Sequence, residues 1–416
     1  MTAARNLQAG AVRDGWHSSR LKHVARLQYG SALPTEVRAE DGAVPVYGSN
    51  GPVGVHSSPN TMAPVIVVGR KGSHGKVRYS AEPVFVIDTA YYVDAVNASC
   101  NLRWLHYVLG TLELDENSQD TGVPGLSREA AHERRVAVPP LEEQRRIAAF
   151  LDHETARIDE LVHEQERLLV LAAERLEASA DQLVWFGSIS VETAGPSDDQ
   201  TNVVRLGHLT KSIQTGPFGS QLHAHDYVSD GTPVVNPSSI GPRGLLPESA
   251  QKVDDAALAR LHQYRLAAGD VVLGRRGEMG RSALVQESES GWLLGTGSMR
   301  IRMTTELRPA FCLYVLQSRR TRSYLEDASV GSTMNNLNPE IVGRCVVPHY
   351  DLHKQDEIVA RLETLTKHYD ALLETANGLV RLLRERRSAL ITAAVTGQID
   401  VSSWTPPDDW LSTETT

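Results

Sequence analysis

The sequence is poor in sulfur and aromatics and has no long apolar run, and each scarcity narrows what the chain is built to do. Three cysteines in 416 residues, Cys100, Cys312 and Cys345, are too few and too scattered for a disulfide framework, and no CxxC pair offers zinc its ordinary spacing. Reduced thiols are expected. No apolar stretch approaches the ~18 to 20 residues of a membrane helix, since Val65–Val68 soon meets Arg70, and the N-terminal residues hold no apolar signal core. A cytoplasmic chain without a membrane partner is expected. Cations are also in deficit: 42 Lys and Arg against 51 Asp and Glu give a formal net charge of -9, which by itself argues against a polyanion binder.

That sum hides a segregation. Acidic residues crowd the stretch from Glu142 to Asp181, among them Glu143, Asp152, Glu154, Asp159, Glu160, Glu164 and Glu166. Cations gather elsewhere, at Arg70/Lys71/Lys76, Arg275/Arg276/Arg281, Arg300/Arg302 and Arg319/Arg320/Arg322, so local charge rather than the total steers any polyanion. With 41% hydrophobic composition, the chain is long enough for two or three domains, each with its own core.

The chain repeats itself. Gly69-Arg70-Lys71-Gly72-Ser73-His74-Gly75-Lys76 returns as Gly274-Arg275-Arg276-Gly277-Glu278-Met279-Gly280-Arg281, and both follow a β-branched run that reads as a buried strand. Ordered matches continue: Arg20-Leu21 with Arg205-Leu206, Tyr107-Val108-Leu109 with Tyr314-Val315-Leu316, and Leu126 with Leu337. Val138-Pro139 then matches Val347-Pro348, and Gln144-x-x-Ile147 matches Gln355-x-x-Ile358. This order marks a duplication. Each copy pairs a β-rich stretch, residues 18–135 and 203–345, with a helical one, residues 136–190 and 346–400; an N-terminal segment (1–17), a linker (191–202) and a tail (401–416) complete the chain. In the second helix Leu362, Leu365, Tyr369, Leu372, Ala376, Leu379, Leu383 and Leu390 alternate at three and four, a heptad seam. In the first, Leu151, Ile158, Leu161, Gln165, Leu168 and Ala172 take those places, with Val162, Leu169, Leu176 and Leu183 widening the stripe. A continuous helix from Glu142 to Trp185 would extend ~66 Å, longer than a small domain is wide. The expected fold is therefore α+β: two β-rich domains in pseudo-twofold repeat, separated by a long antiparallel two-helix coiled coil.

The repeated loop has competitors. A Walker loop needs Gly five places before Gly75 and Ser or Thr after Lys76, where this chain has Arg70 and Val77; the second copy also fails. Neither copy has the G-x-G-x-x-G dinucleotide fingerprint. The inner Gly-x-x-Gly matches a KH-type clamp, but that clamp joins helices and these loops join strands. What remains is a hairpin-like loop whose glycines allow close backbone approach and whose cations meet phosphates or base edges. The bland alternative is a glycine-rich turn with solvated cations. Repetition of the cations counts against it, because turn geometry needs only the glycines. Arg70, Lys71, Lys76, Arg275, Arg276 and Arg281 read as grip; the differing centres, Ser73-His74 and Glu278-Met279, read as the places where bases are distinguished. Cys345, His349 and His353 are spaced like metal ligands, but Pro348 breaks their helix and the other copy offers Val136, Pro140 and Glu143. No metal site is expected. No [DNS]-P-P-[FYW] tetrapeptide, the base-holding signature of amino-methyltransferases, is present.

The stretch Val138-Pro139-Pro140-Leu141-Glu142-Glu143-Gln144-Arg145-Arg146-Ile147-Ala148-Ala149-Phe150-Leu151-Asp152, followed by Ile158-Asp159, resembles the helix-opening region of the specificity subunit of type I restriction-modification systems. Leu390-Ile391-Thr392-Ala393-Ala394-Val395-Thr396-Gly397-Gln398-Ile399-Asp400 is similar to that family's closing motif. Gly69–Gly75, Gly274–Gly280 and Tyr47-Gly48-Ser49-Asn50-Gly51 resemble loops of its target recognition domains. The resemblance implies two target recognition domains that each read half of a split, asymmetric site in double-stranded DNA, with Ser49 and Asn50 among the contacts. It also implies docking of two methyltransferase subunits on the helices, S-adenosylmethionine in those partners and no cofactor in this chain. A restriction/translocase subunit would join that core. The chain itself would be non-catalytic. One departure stands out: Pro348-His349-Tyr350-Asp351-Leu352-His353-Lys354-Gln355 carries two extra residues before the second helix. The rival readings are a coiled-coil scaffold whose β-rich domains bind protein, and an enzyme with a site assembled across both copies.

Overall fold

The computed structural model describes residues 12–34, 42–115, 125–188, 202–218, 221–330 and 336–407. The expected linker, apart from Asn202, lies outside the described residues, as do the first eleven residues and the end of the tail from 408. The chain divides into two compact units, Met1–Glu166 with Asn377–Thr416, and Arg167–Ala376. No described helix is long and apolar enough to cross a membrane.

The first unit opens with β1 (His17–Arg20), the short α1 (Leu21–Val24) and β2 (Gln28–Tyr29), followed by β3 (Val44–Gly48), β4 (Gly51–His56), β5 (Val65–Gly69), β6 (Val77–Ser80), β7 (Phe85–Val86) and β8 (Ala90–Asp94). Helices α2 (Leu102–Gly110) and α3 (Arg128–His132) and strand β9 (Arg135–Val138) lead into α4 (Leu141–Phe186). One sheet has the order β2-β8-β5-β6, another β4-β3-β7, and β1 pairs with β9. Strand β5 explains its own composition. Ile66 and Val68 face the core built on α2, while Val65 and Val67 face a second cluster with Val84, Val86 and Ala90. A strand covered on both faces reads as a continuous β-branched run instead of an alternating one.

The second unit contains β10 (Val203–Arg205), β11 (Thr210–Thr215), β12 (Tyr227–Val228), β13 (Thr232–Val235), β14 (Ile240–Gly241), β15 (Gly244–Leu245) and β16 (Gln251–Val253). After α5 (Asp255–Arg260) come β17 (Val271–Gly274), β18 (Ser282–Leu284), β19 (Leu293–Leu294) and β20 (Ser298–Met303). Helices α6 (Pro309–Gln317), α7 (Arg319–Val330) and α8 (Pro339–Arg344) precede β21 (Val346–Pro348) and α9 (Leu352–Val395). Its sheet β11-β20-β17-β18 has the strand order of β2-β8-β5-β6, and its β10–β21 pair that of β1–β9. In both units a central strand, β3 or β13, has one antiparallel and one parallel neighbour. Residues 136–138 and 346–348, which begin the helical stretches in the sequence reading, are therefore strand.

Both long helices start at the same point of the repeat. Gln144 and Gln355 each stand fourth in their helix and are almost fully buried. Gln144 Oε1 accepts the Asn101 N–H at 2.8 Å and its Nε2 donates to the Pro139 carbonyl at 2.9 Å. Gln355 Oε1 accepts the Arg308 N–H at 2.7 Å, and its Nε2 donates to the Glu306 and Tyr350 carbonyls, each at 2.8 Å. Asn101 and Arg308 are the N-caps of α2 and α6, so each amide ties a long helix to the packed helix of its own unit. The two extra residues near His349 lie before Leu352, where Asp351 caps α9 by accepting the Lys354 N–H at 2.8 Å. They leave the register intact.

The helical seam differs from the one read off the sequence. Leu151, Ile158 and Leu362 are buried, and Leu365 and Leu383 are half-buried, but Leu161 (46%), Leu168 (56%), Leu372 (50%) and Leu379 (42%) are exposed. Gln165, Ala172 and Ala376 of the expected seam turn inward, and the rest of the inward line runs through Val162, Leu169 and Leu176, expected only to widen the stripe, and through Leu373 and Val380. Doubled apolar positions such as 168/169, 372/373 and 379/380 leave a step of three or four undecided, and the helix takes the neighbour of the expected leucine. In the first unit Asp159 pairs with Arg387 at 2.9 Å and Glu166 with Arg384 at 2.8 Å, so α4 and α9 meet in opposite chain order there.

The closing motif packs on the start of α4. Arg13 bonds Asp400 at 2.7 Å and Glu143 at 3.3 Å, Trp16 Nε1 donates to Glu143 at 3.0 Å, and Trp404 meets Phe150 edge-on. The Arg13 guanidinium, with Ser402, holds Asp400 well below the usual carboxylate range. On α2, His106 lies against Tyr79 and Tyr107, and burial, aided by Arg103 and Arg387, pushes it down to about 4. A folded-state value below the unfolded one means that the unfolded chain takes the proton first as pH falls. Stability present above about pH 6.5 should therefore be lost toward pH 4, by on the order of 3 kcal/mol. His106→Leu, which installs the residue found at the matching position 313, should flatten that loss in urea titrations at pH 7 and pH 4.5; an unchanged pH dependence would exclude His106 as its source.

Candidate nucleic-acid interface

Each glycine loop joins two antiparallel neighbours, β5 to β6 and β17 to β18. Gly69 N–H donates to the Lys76 carbonyl at 2.8 Å, and Gly274 N–H to that of Arg281 at 2.9 Å. A downstream leucine closes each loop from outside: Leu126 N–H donates to the Arg70 carbonyl at 2.8 Å, and Leu337 N–H to that of Arg275 at 3.1 Å. The inner glycines all adopt positive φ, 71° and 78° at Gly72 and Gly75 and 84° and 80° at Gly277 and Gly280. The spacing of the glycines is thus a backbone requirement. A β-carbon at Gly75 would also lie 2.6 Å from the Asp115 nitrogen, and one at Gly280 would strike the Arg322 side chain.

The loop centres are not free tips. His74 is tethered on both sides, its Nδ1 3.1 Å from the Gly72 carbonyl and its Nε2 3.0 Å from the Asp115 carbonyl. Met279 is buried in the core of the second unit. The second variable position is thus engaged by the protein in both copies, His74 through the segment after α2 and Met279 through burial in its unit's core. Ser73 is half-buried. The exposed residues are Lys71, Gly72 and Lys76 in one loop and Arg276, Gly277, Glu278 and Arg281 in the other, where Arg281 pairs with Glu278 at 3.0 Å.

Ser49 and Asn50, distant in sequence from the first loop, are brought against it by the β3–β4 hairpin. Lys76 Nζ donates to Asn50 Oδ1 at 2.8 Å, Arg78 donates to the Asn50 carbonyl at 3.0 Å, and Ser49 Oγ donates to the Thr89 carbonyl at 2.7 Å. These pieces form one surface with three cations, Lys71, Lys76 and Arg78, exposed on it. The sequence reading omitted Arg78; its alternation with Val77 and Tyr79 on a strand after the loop was the available signal.

The matching arginines differ. Arg70 donates to the Asp88 carbonyl at 3.1 Å, and its guanidinium carbon lies 4.9 Å from the Tyr29 ring centre and 5.8 Å from that of Tyr91. Arg275 instead donates through Nε to the Leu337 carbonyl at 2.8 Å, and burial, with Arg276 beside it, lowers its pKa. Strand register accounts for the divergence. Tyr29 pairs with Tyr91 as Thr215 pairs with Met299, so the second unit has no aromatic bed at this place and its arginine turns to the backbone.

Comparison with known proteins fits this geometry. Residues 13–169 match the type I restriction modification DNA specificity domain. The chain resembles type I specificity subunits along most of its length. It is 19% identical over 366 residues to the type I restriction enzyme EcoBI specificity subunit of Escherichia coli, covering 84% of this chain and 76% of that protein. It is 20% identical over 312 residues to the MjaVIII specificity subunit of Methanocaldococcus jannaschii, covering 71% of each. Among solved structures, a chain described with complex assembly and conformational transition of the type I R-M system has a TM-score of 0.71 at 16% identity, covering 94% of this chain and 100% of that one. The HsdS subunit from Thermoanaerobacter tengcongensis has a TM-score of 0.51 at 15% identity, with 93% and 98% covered. The fold is shared with these two structures.

The two inner glycines of the first loop should respond unequally to substitution. Gly72→Ala meets open space and should cost about 1 to 2 kcal/mol for the left-handed backbone alone. Gly75→Ala adds the collision with Leu114 and Asp115 and should lower the urea midpoint further; equal midpoints would contradict the packing described.

Proposed function

We propose that this chain is the non-catalytic sequence-specificity subunit of a type I restriction-modification complex. The reading rests on one coincidence: the stretch that matches the specificity domain is the stretch in which the β3–β4 hairpin and the glycine loop combine into a cationic surface. In this reading each β-rich unit is a target recognition domain for half of an asymmetric duplex site. The same strand order in both units supports that duplication. The long helices act as an antiparallel coiled-coil spacer and dock two methyltransferase subunits. Leu161, Leu168, Leu171, Leu372, Leu379 and Leu382 supply exposed apolar surface for that task. S-adenosylmethionine belongs to those partners, a restriction/translocase subunit joins where cleavage occurs, and the assembly works in the cytoplasm.

The net charge then has a function. An acidic helix does not need to lie on phosphate if its task is to hold protein, while local cations on the recognition domains meet DNA. Salt-dependent binding to one bipartite duplex should appear when the chain is combined with its methyltransferase subunits. Within that complex Arg70→Ala should weaken binding by up to ~1 to 3 kcal/mol. Arg275→Ala should act chiefly by lowering the melting temperature of the second unit, because its guanidinium is tied to Leu337. Adenine methylation by the isolated chain, or a partner-bound complex indifferent to DNA, would refute the assignment.

A further inference from the structure

Resting on that reading, we infer that Arg128 and Tyr29 join Arg70 in a phosphate clamp that grips the DNA backbone on the first unit and has no counterpart on the second. Neither Arg128 nor Tyr29 belongs to the repeated loop. Tyr29, on β2, is 45% exposed and carries two guanidinium groups against its ring, with the carbon of Arg70 4.9 Å from its ring centre and that of Arg128 at 4.8 Å. Tyr91 completes the bed, packed edge-on against Tyr29 at 5.1 Å and anchored through its hydroxyl to the Leu126 carbonyl.

Two cations over one ring repel each other, so something must hold them there. Arg128 sits on α3, and one turn later His132 accepts the Leu27 N–H at 3.0 Å through Nε2. That bond fixes the helix beside the strand bearing Tyr29. Arg128 Nε is buried and has no hydrogen-bond partner among the described residues. Its one acidic contact among the described residues, Glu129 at 3.4 Å, is long, and the Glu129 side chain is 73% exposed. Arg70 is held by a neutral carbonyl, that of Asp88. The pair therefore presents a net positive charge around an exposed phenol, and an anionic group bound beside the two guanidinium groups would relieve their repulsion and accept their N–H donors.

The arrangement is not a requirement of the fold. The second unit builds the same sheet with Thr215 in place of Tyr29 and Met299 in place of Tyr91. Two residues beyond the matched leucine, Leu126 or Leu337, it has Pro339 in place of Arg128. A feature that the fold can omit, and that leaves two arginines short of acceptors, points to a ligand. The clamp adjoins the loop surface through Arg70, and the anion expected on that surface is a phosphate of the duplex.

The test uses the full chain assembled with its methyltransferase subunits, the duplex that the complex methylates, and a scrambled duplex of equal length. Arg128→Gln should weaken binding to both duplexes by similar factors, several-fold to about tenfold, and should make the log-affinity against log-salt slope shallower by about one. Arg128→Lys should restore most of the slope. Tyr29→Phe, which keeps the ring, should stay folded and show a smaller loss of the same uniform kind. Unchanged affinity and slope in Arg128→Gln, with an unchanged melting temperature, would overturn the clamp. So would a loss confined to the methylated sequence, which would make Arg128 a base reader. If the unmodified complex binds neither duplex, the functional reading itself fails.

Discussion

Each long helix is fixed to its β-rich unit by one buried glutamine, and the placement of everything downstream follows from that amide. A buried side-chain amide left without partners costs roughly the desolvation of its donor and acceptor, about 1 to 3 kcal/mol for each group. Gln144 and Gln355 avoid this only when the helix begins at Leu141 or Leu352, because only then do Oε1 and Nε2 reach the N-cap of the packed helix and the carbonyl before the long one. The pinned start sets which face of the helix turns inward. It also explains how the second copy tolerates two extra residues ahead of α9. They lengthen the approach, and the amide resets the register.

The two glycine loops show the complementary principle, a common frame with unlike surfaces. Positive φ at both inner glycines and the leucine N–H that closes each loop are shared. The frame does not determine what the cations do. Arg70 rests on tyrosines at the surface, whereas Arg275 is drawn into the backbone of its own unit and Arg281 is neutralised by Glu278. In the proposed function, where two unlike half-sites are read, the frame would keep each surface in place while strand and helix residues outside the loop set its chemistry.

Much of this was legible in the sequence. The duplication, the strand before each loop, the hairpin character of the loops and the two long helices all follow from periodicity and ordered matches, and local patterns fix such features. Three aspects were not legible. The seam was misread by one position at three doubled apolar places, 168/169, 372/373 and 379/380, because Leu168 and Leu169 satisfy the heptad equally well until a partner surface chooses. His74 and Met279 looked like variable tips, but His74 is held by Asp115, 41 residues later, and Met279 by the core of its unit. Arg128 gave no signal, because its meaning comes from a ring 99 positions earlier on another strand. Long-range packing, not propensity, decided all three.

The central claim is that this chain selects the DNA sequence on which partner subunits act. The most direct measurement is a map of methylated adenines in a host expressing the methyltransferase subunits with this chain, compared with one in which residues 17–138 come from a different specificity subunit. The account predicts a bipartite, asymmetric methylated motif in the first host and a motif changed in one half only in the second. Methylation that does not depend on the chain, or a motif left whole by the exchange, would contradict it.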